Sequence, residues 1–188
     1  MIGDRARISV TIAVPPPLAF EIFTDEIDRW WQRGVKFRHG GARGGFLRIE
    51  PGVNGRLFES IDGERGPHVI EVGRVRVWEP PRRLEFSWRN ANFAPHEHTQ
   101  VEVEFTPTGA GTLVTVTHSG FAALRPDHPA RHGLQGAEFS RMMGLWWGEQ
   151  MSSLREVCAP KPLRDDPSAA TAAPSPSGVH ITPGERQG

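Results

Sequence analysis

The sequence predicts an α+β fold in which an antiparallel sheet of about seven strands packs against one long C-terminal helix. Three observations lead to this prediction. Apolar and polar residues alternate, as in β-strands, in several segments between residues 8 and 118. Most of the connections between these segments contain turn-forming residues. In residues 135–157 the apolar residues instead recur at the spacing of an α-helix. Two short helices are expected between the first strand and the second.

The first strand and the two short helices lie at the N-terminal end. Apolar and small polar residues alternate over residues 8–14, and Pro15-Pro16-Pro17 then ends the strand because proline cannot donate to a ladder. Proline is tolerated in the first turn of a helix, so a helix is expected to follow directly. Thr24 or Asp25 is predicted to cap a second short helix that runs to Trp31.

Six further strands are predicted after a glycine-rich loop at residues 33–45. Their alternating patterns occupy residues 46–50, 55–62, 68–78, 83–88, 99–106 and 112–118. Short turns join consecutive strands, which favours an antiparallel meander. In the sixth strand of the chain Val101, Val103 and Phe105 share one face while Glu102 and Glu104 share the other, so one face of the sheet is expected to be dry.

The last predicted element is a long amphipathic helix. Its apolar residues recur at steps of three and four, and this stripe must cover the dry face of the sheet. Residues 1–158 are therefore interpreted as one domain. Residues 159–188 are rich in Pro, Ala and Ser and are predicted to be disordered, because they contain too little apolar surface to offset the entropy of ordering.

Composition narrows the function further. Among 188 residues, 22 are basic and 22 are acidic, so the electrostatic excess that nucleic-acid binding requires is not visible. The single cysteine fits a reducing compartment, and neither a secretory signal nor an apolar run long enough for a bilayer is apparent. A cytoplasmic protein with no nucleic-acid or membrane partner is the expectation.

Four segments resemble a known family. They are residues 23–31, 49–56, 73–88 and 115–121, the first ending in Trp30-Trp31 and the last reading Thr-Val-Thr-His-Ser-Gly-Phe. Through them the chain resembles the START-like, or SRPBCC, superfamily, and within it the group of homologues of the activator of heat-shock protein 90 ATPase (AHSA-like). The resemblance covers roughly residues 8–157 and implies the helix-grip fold: a curved sheet that grips the terminal helix, with a cavity between them.

The resemblance also implies a range of activities. Superfamily members bind lipids, sterols or aromatic metabolites, some are cyclases or hydroxylase components, and one group activates a chaperone. The chaperone activator has a separate N-terminal domain with no counterpart in this sequence, which disfavours that role here. Some small relatives are encoded beside transcriptional repressors, which suggests a part in stress response.

A set of large side chains and one histidine is predicted to line the implied cavity and bind an apolar or aromatic ligand. These residues are Trp30, Trp31, Phe58, Phe86, Trp88, His118, Phe139, Met143, Trp146 and Trp147. The alternative is that the aromatic residues simply fill the core, since aromatic side chains commonly dominate cores. The two interpretations differ in whether the interior contains an open volume.

The polar candidates are histidines and a glycine-rich loop. His118 is in phase with the apolar residues of its strand, so it is expected to point inward as a polar anchor, as an acid/base group, or as a core histidine satisfied by its neighbours. The pairs His96/His98 and His128/His132 have no evident third ligand, so they are interpreted as solvated loop residues rather than a metal site. The loop around Gly40 and Gly45 lacks the features of a phosphate loop. No metal and no cofactor is expected.

Three functions remain open at this point. The first is a module that binds a small hydrophobic or aromatic molecule without covalent chemistry. The second is a cyclase- or hydrolase-type enzyme that uses the same pocket, and the third is a chaperone-activating or regulatory protein with a chaperone partner. Fold analogy cannot separate them, since folds of this kind serve many activities, and the oligomeric state is not readable from the sequence.

Overall fold

A computed structural model describes residues 5–41, 45–63, 66–90 and 92–160. The strands are β1 (Ala6–Ile12), β2 (Phe46–Ile49), β3 (Arg56–Ile61), β4 (His68–Glu79), β5 (Arg83–Trp88), β6 (Thr99–Thr108) and β7 (Gly111–Ser119). The helices are α1 (Pro16–Thr24), α2 (Ile27–Trp30) and α3 (Gly136–Val157), with 3₁₀ turns at Phe121–Ala123 and Pro129–Arg131.

The seven strands form one antiparallel sheet in the order β1-β7-β6-β5-β4-β3-β2. The sheet is curled into a half-barrel, and α3 lies across it. Both the α+β class and the helix-grip arrangement predicted from the sequence are thereby confirmed. None of the helices within the described residues is long and apolar enough to span a membrane.

Close approach of two strands explains one glycine of the sheet. A Cβ built on Gly73 in β4 would lie 1.8 Å from the carbonyl oxygen of Ser87 in β5, which no side chain could tolerate. Pairing irregularities follow in β4 between Val75 and Val77, and a second one lies between β3 and β4 at Leu57/Phe58. Such irregularities increase the local twist of the sheet.

The core lies between the sheet and α3, with α1 packed against β6 and β7 and α2 against β2 and α3. The buried residues of α3 recur at helical spacing, beginning with Phe139, Met143 and Trp147. Gly144 faces β1, since a Cβ built on it would lie 3.6 Å from Cδ1 of Ile8. An added Cβ would make only an ordinary van der Waals contact there, so α3 packs directly on β1 at this point.

One local prediction is wrong. Helix α2 begins after Glu26 without a side-chain cap, and the hydroxyl of Thr24 instead donates back to the carbonyl of Phe20. This bond satisfies the last turn of α1 rather than the first turn of α2. The predicted tail at residues 159–188 lies, from residue 161 onward, outside the described residues.

Candidate functional site

A cavity of about 410 Å³ lies between α3 and one end of the sheet. Its size falls within the range of small-molecule sites, ~300–1,000 Å³. Four tryptophans, Trp31, Trp88, Trp146 and Trp147, line the cavity, together with other aromatic and polar side chains. The site therefore has the flat apolar surfaces that suit an aromatic or hydrophobic molecule.

Cross-strand pairing brings the sheet side of the cavity together. Trp88 at the end of β5 is paired with Thr99 at the start of β6, and Val101 in β6 is paired with His118 near the end of β7. Thr99 and His118 are thus diagonal neighbours on one face, within reach of each other. The same end of three adjacent strands supplies all three cavity residues.

The helix side of the cavity follows from the period of α3. Met143, Trp146, Trp147 and Gln150 are separated by three or four residues and face the same direction. Trp147 is 5 % exposed and Gln150 is 3 % exposed. This stripe covers the cavity over about two turns of the helix.

Trp31 links the loop after α2 to both sides of the cavity. Its ring stacks on Trp88 with centroids 5.3 Å apart and an interplanar angle of 23°. It also meets Trp147 edge-on at 5.6 Å. Offset stacks and edge contacts of this kind are the favourable arrangements of aromatic pairs. The three indoles therefore fix one another's orientation around the cavity.

His118 lies at the centre of a buried hydrogen-bond chain. The indole N–H of Trp147 donates to its Nδ1 at 3.1 Å, and because an indole can only donate, Nδ1 must be unprotonated. The proton of the neutral ring is then on Nε2, which donates to Oγ1 of Thr99 at 2.8 Å. The Thr99 hydroxyl in turn donates to the carbonyl of Trp88 at 3.2 Å. Both ring nitrogens are occupied.

Burial lowers the pKa of His118 to about 3. Its neutral form is therefore the one present at neutral pH, in agreement with the direction of the hydrogen bonds. A histidine with no free nitrogen and a strongly lowered pKa is poorly suited to proton transfer near neutrality. Of the roles predicted for His118, the geometry favours the core histidine satisfied by its neighbours.

This environment predicts a pH dependence of stability. The unfolded chain takes up a proton at His118 as the pH falls below about 6.5, whereas the folded chain resists protonation down to about 3. The contribution is therefore complete above pH 6.5 and is lost as the pH falls. From pH 7 to pH 5 the loss is about 2 kcal/mol from this residue.

Urea unfolding of the native protein and of H118N at pH 7 and pH 5 measures this effect. Burial also lowers the pKa of His39, so that residue contributes with the same sign in both proteins and cancels in the comparison. The difference in stability between the two proteins is expected to shrink by about 2 kcal/mol at pH 5. Parallel pH curves would contradict the assignment of a neutral His118.

A segment following α2 closes one side of the cavity and is fastened to α3. We call residues 31–40 the cavity loop. Lys36 Nζ bonds both carboxylate oxygens of Glu149, at 2.6 and 2.8 Å, and lies 5.2 Å from the ring centroid of Trp146. The backbone N–H of Gln32 donates to Oε1 of Gln150 at 2.8 Å. The cavity loop is therefore held to the helix at several points.

The base of the cavity loop is held by an ion pair whose arginine is buried. Arg38, whose side chain is 2 % exposed, lies 2.6 Å from the carboxylate of Asp28 and also donates to the carbonyl of Trp31. Asp28 further accepts the backbone N–H of Leu47 in β2. Burial alone would raise the pKa of Asp28, but these hydrogen bonds and the charge of Arg38 lower it overall.

Two backbone N–H groups of the glycine-rich loop bind the carboxylate of a glutamate in β3. The backbone N–H groups of His39 and Gly40 donate to the carboxylate of Glu59, at 2.7 and 3.0 Å. Glu59 is 1 % exposed, in a strand position that normally holds an apolar residue. These two amides are therefore occupied by a side chain of β3. Residues 42–44 of the loop lie outside the described residues.

Six of the predicted site residues line the cavity: Trp31, Trp88, His118, Met143, Trp146 and Trp147. Trp30 instead lies in the core, where its indole N–H donates to the carbonyls of Ile22 and Phe23. Trp31 follows the last residue of α2 in an extended conformation; its ring contacts that of Trp30, with centroids 5.5 Å apart, but only Trp31 reaches the cavity. Phe86 is fully buried deeper in the sheet, two residues before Trp88 on the same face.

Phe58 and Phe139 also lie away from the cavity. In β3 it is Leu57 and Glu59 that point inward, so Phe58 faces the other side and packs against the guanidinium of Arg56 at 4.9 Å. Phe139 is fully buried in the core, 4.7 Å from Phe121 and next to the guanidinium of Arg131. The cavity thus occupies only one end of the predicted aromatic interior.

The prediction that His128 is a solvated loop residue is wrong. The side chain is 2 % exposed, its Nε2 lies 3.1 Å from the carboxylate of Glu97, and its Nδ1 accepts the backbone N–H of Ala130. Within the described residues no group of three His, Cys, Asp or Glu side chains is placed to hold a metal ion.

Burial raises the pKa of the Cys158 thiol to about 11, with a smaller contribution from Glu26. That thiol is unreactive at neutral pH.

Several cavity residues were not predicted from the sequence. They include Phe37, His39, Asn90, Thr99, Phe121, Ala130 and Gln150. Gln150 carried a detectable signal, since it is a polar residue in the apolar stripe of the last helix. His39 carried none, because nothing in a glycine-rich loop indicates which side chain turns inward.

A curled antiparallel sheet closed by a C-terminal helix, with an apolar cavity at one end, defines a protein of the helix-grip class. The family model described as "Activator of Hsp90 ATPase homolog 1-like protein" matches residues 13–157, and the chain belongs to that family. The resemblance inferred from the sequence is therefore confirmed. A search of curated proteins found no match.

Solved structures share the fold. An Hsp90 activator from Plasmodium falciparum is 18% identical with a TM-score of 0.55, covering 82% of this chain and 96% of that one. A protein from Mesorhizobium loti is 20% identical with a TM-score of 0.53, covering 81% and 95%. A protein from Cytophaga hutchinsonii is 12% identical with a TM-score of 0.58, covering 84% and 94%. At these identities the likeness concerns the fold alone.

Proposed function

We propose that this protein binds a small apolar or aromatic molecule in the cavity between α3 and the sheet, without covalent chemistry. The observation that carries the proposal is the open volume of about 410 Å³ walled by four tryptophans. A core that merely needed filling would not leave such a space, because protein interiors are packed as densely as organic crystals. Indole faces are well suited to a flat ligand.

The hydrogen bonds of His118 favour ligand binding over catalysis as the function of the cavity. Both of its ring nitrogens are engaged by Trp147 and Thr99, so it has no lone pair or proton to offer a substrate without breaking a buried hydrogen bond. The cyclase or hydrolase alternative would use the shape of the pocket together with one or two polar groups, such as His118. Shape and apolar contact, rather than proton transfer, are what the cavity offers.

A cavity-filling substitution tests the proposal. Ala130 lines the cavity from the second 3₁₀ turn, so A130W places an indole in the space that a ligand would occupy. The probe is N-phenyl-1-naphthylamine, an uncharged aromatic dye whose emission rises in apolar surroundings. We expect the native protein to bind it and A130W to bind it at least tenfold more weakly, because the displaced contacts are those that hold the ligand.

The matched control is A123W. Ala123 lies in the first 3₁₀ turn, is exposed, and is not among the residues that line the cavity. This variant should bind the dye like the native protein, and circular dichroism should show that both variants are folded. Equal dye affinity in the native protein and A130W, or no binding by the native protein at all, would refute the proposed cavity site.

The family supports a second candidate function, contact with an Hsp90-type chaperone. The support is the description of the matching family, which concerns activation of the Hsp90 ATPase. Purified protein mixed with Hsp90 should then co-precipitate with it and raise its rate of ATP hydrolysis. A chaperone that is neither retained nor accelerated would remove this candidate and leave the ligand-binding proposal unaffected.

A further inference from the structure

The side-chain amide of Gln150 is only half satisfied. Its Oε1 accepts the backbone N–H of Gln32 at 2.8 Å, and because that N–H is a donor, the orientation of the amide is fixed. The Nε2 group is therefore the end left over. It is buried and has no hydrogen-bond partner among the described residues. Buried hydrogen-bond donors without an acceptor are rare in folded proteins, and a bound ligand or water is a common reason for them.

The position of Gln150 supplies that explanation. It follows Trp146 and Trp147 by one helical turn, and all three line the cavity. The oxygen end of the amide is bound to the cavity loop, so the amide lies at the boundary between loop, helix and cavity. A hydrogen-bond acceptor on a molecule in the cavity would satisfy the free N–H₂ group.

A second residue of the same cavity also has an unpartnered polar atom. Nε2 of His39, in the cavity loop, is buried and without a hydrogen-bond partner in the described part of the chain. Burial lowers the pKa of this histidine, so its ring is neutral at neutral pH. The cavity thus has polar atoms from two elements, α3 and the cavity loop, in an otherwise aromatic surrounding.

The charged side chains around the cavity are already paired. Lys36 is bound to Glu149, and Arg38 is bound to Asp28 and to backbone carbonyls. A negatively charged ligand would have to compete with these carboxylates for its counter-charge. An uncharged ligand avoids that competition and leaves both ion pairs intact.

We infer that the ligand is an uncharged planar aromatic molecule with a carbonyl-type oxygen, which accepts a hydrogen bond from Nε2 of Gln150. This inference rests on the proposed function and specifies the chemistry of the same site. Aromatic contact supplies most of the affinity, and the amide of Gln150 selects for the acceptor. Gln150 is thus the residue that determines which aromatic molecules are preferred.

Two probes of nearly the same shape test the inference. Fluorene and 9-fluorenone are planar three-ring molecules that differ in a methylene and a carbonyl group. Calorimetric titration gives the ratio of their dissociation constants for the native protein and for Q150M. We expect the preference for fluorenone to fall about fivefold in Q150M, because one hydrogen bond is lost while the apolar contacts remain. Q100M, at an exposed glutamine of β6, is the control and should keep the native ratio.

The outcomes separate the inference from the proposed function. If neither probe binds the native protein, the cavity proposal itself fails. If both probes bind but the ratio is the same in the native protein and Q150M, only the role of Gln150 is overturned. Should Q150M not fold, the side-chain N–H₂ resonances of Gln150 in the native protein decide: they should shift with fluorenone much more than with fluorene, and equal shifts would overturn the inference.

Discussion

Replacing Asp28 by alanine is expected to lower the free energy of unfolding by about 3–5 kcal/mol. The substitution leaves the charge of Arg38 in a site where its side chain is only 2 % exposed. The substitution also removes the acceptor of the backbone N–H of Leu47 in β2, so that the hydrogen bond between α2 and β2 is lost. Removing one member of a buried ion pair costs far more than the pair's net contribution, because an uncompensated charge remains.

Urea unfolding followed by circular dichroism measures this effect, and the chain provides a matched control. Asp127 also pairs with an arginine, Arg125 at 3.3 Å, but its side chain is 80% exposed. D127A should therefore change the free energy of unfolding by less than about 0.5 kcal/mol, as exposed ion pairs usually contribute little. Similar losses in D28A and D127A would mean that Arg38 finds other partners and that the ion pair does not hold the cavity loop.

The second large effect is expected for H118A, with a loss of about 3 kcal/mol in the free energy of unfolding. Removing the imidazole leaves the indole N–H of Trp147 and the hydroxyl of Thr99 without one of their partners, and it opens a void beneath Phe121. Each unsatisfied buried group costs about 1–3 kcal/mol, and the void adds to this loss.

The control for H118A is H96A, because His96 is exposed in the β5–β6 connection. That variant should stay within about 0.5 kcal/mol of the native protein. Both variants should also be titrated with N-phenyl-1-naphthylamine. A fully stable H118A that no longer binds the dye would show that His118 contacts the ligand directly, and the assignment of a core histidine would then be wrong.

The fold was predictable because its signals are local and repeated. Alternation in β6 places Val101, Val103 and Phe105 inward, and the structure buries all three. The periodic stripe of α3 likewise identified the helix and its inward face. Each of these patterns depends only on the geometry of its own element, so neighbours in sequence were sufficient to read it.

The parts of the site that escaped prediction depend on partners distant in sequence. Glu59 occupies an inward position of β3 because the amides of His39 and Gly40 bind it, and this inverted the apparent phase of the strand at Phe58. His128 is buried because Glu97, far from it along the chain, accepts its ring N–H. Alternation and spacing do not register such contacts, because they join elements that only the tertiary fold brings together.

Four of the six tryptophans surround the cavity, and Trp30 and Trp78 are the other two. The intrinsic fluorescence of the protein therefore originates largely from the walls of its own candidate site. A molecule that stacks against Trp31 or Trp88 would alter this emission by quenching or energy transfer. Ligand binding in the cavity can therefore be followed by tryptophan fluorescence without an added label, and compound libraries can be screened in this way.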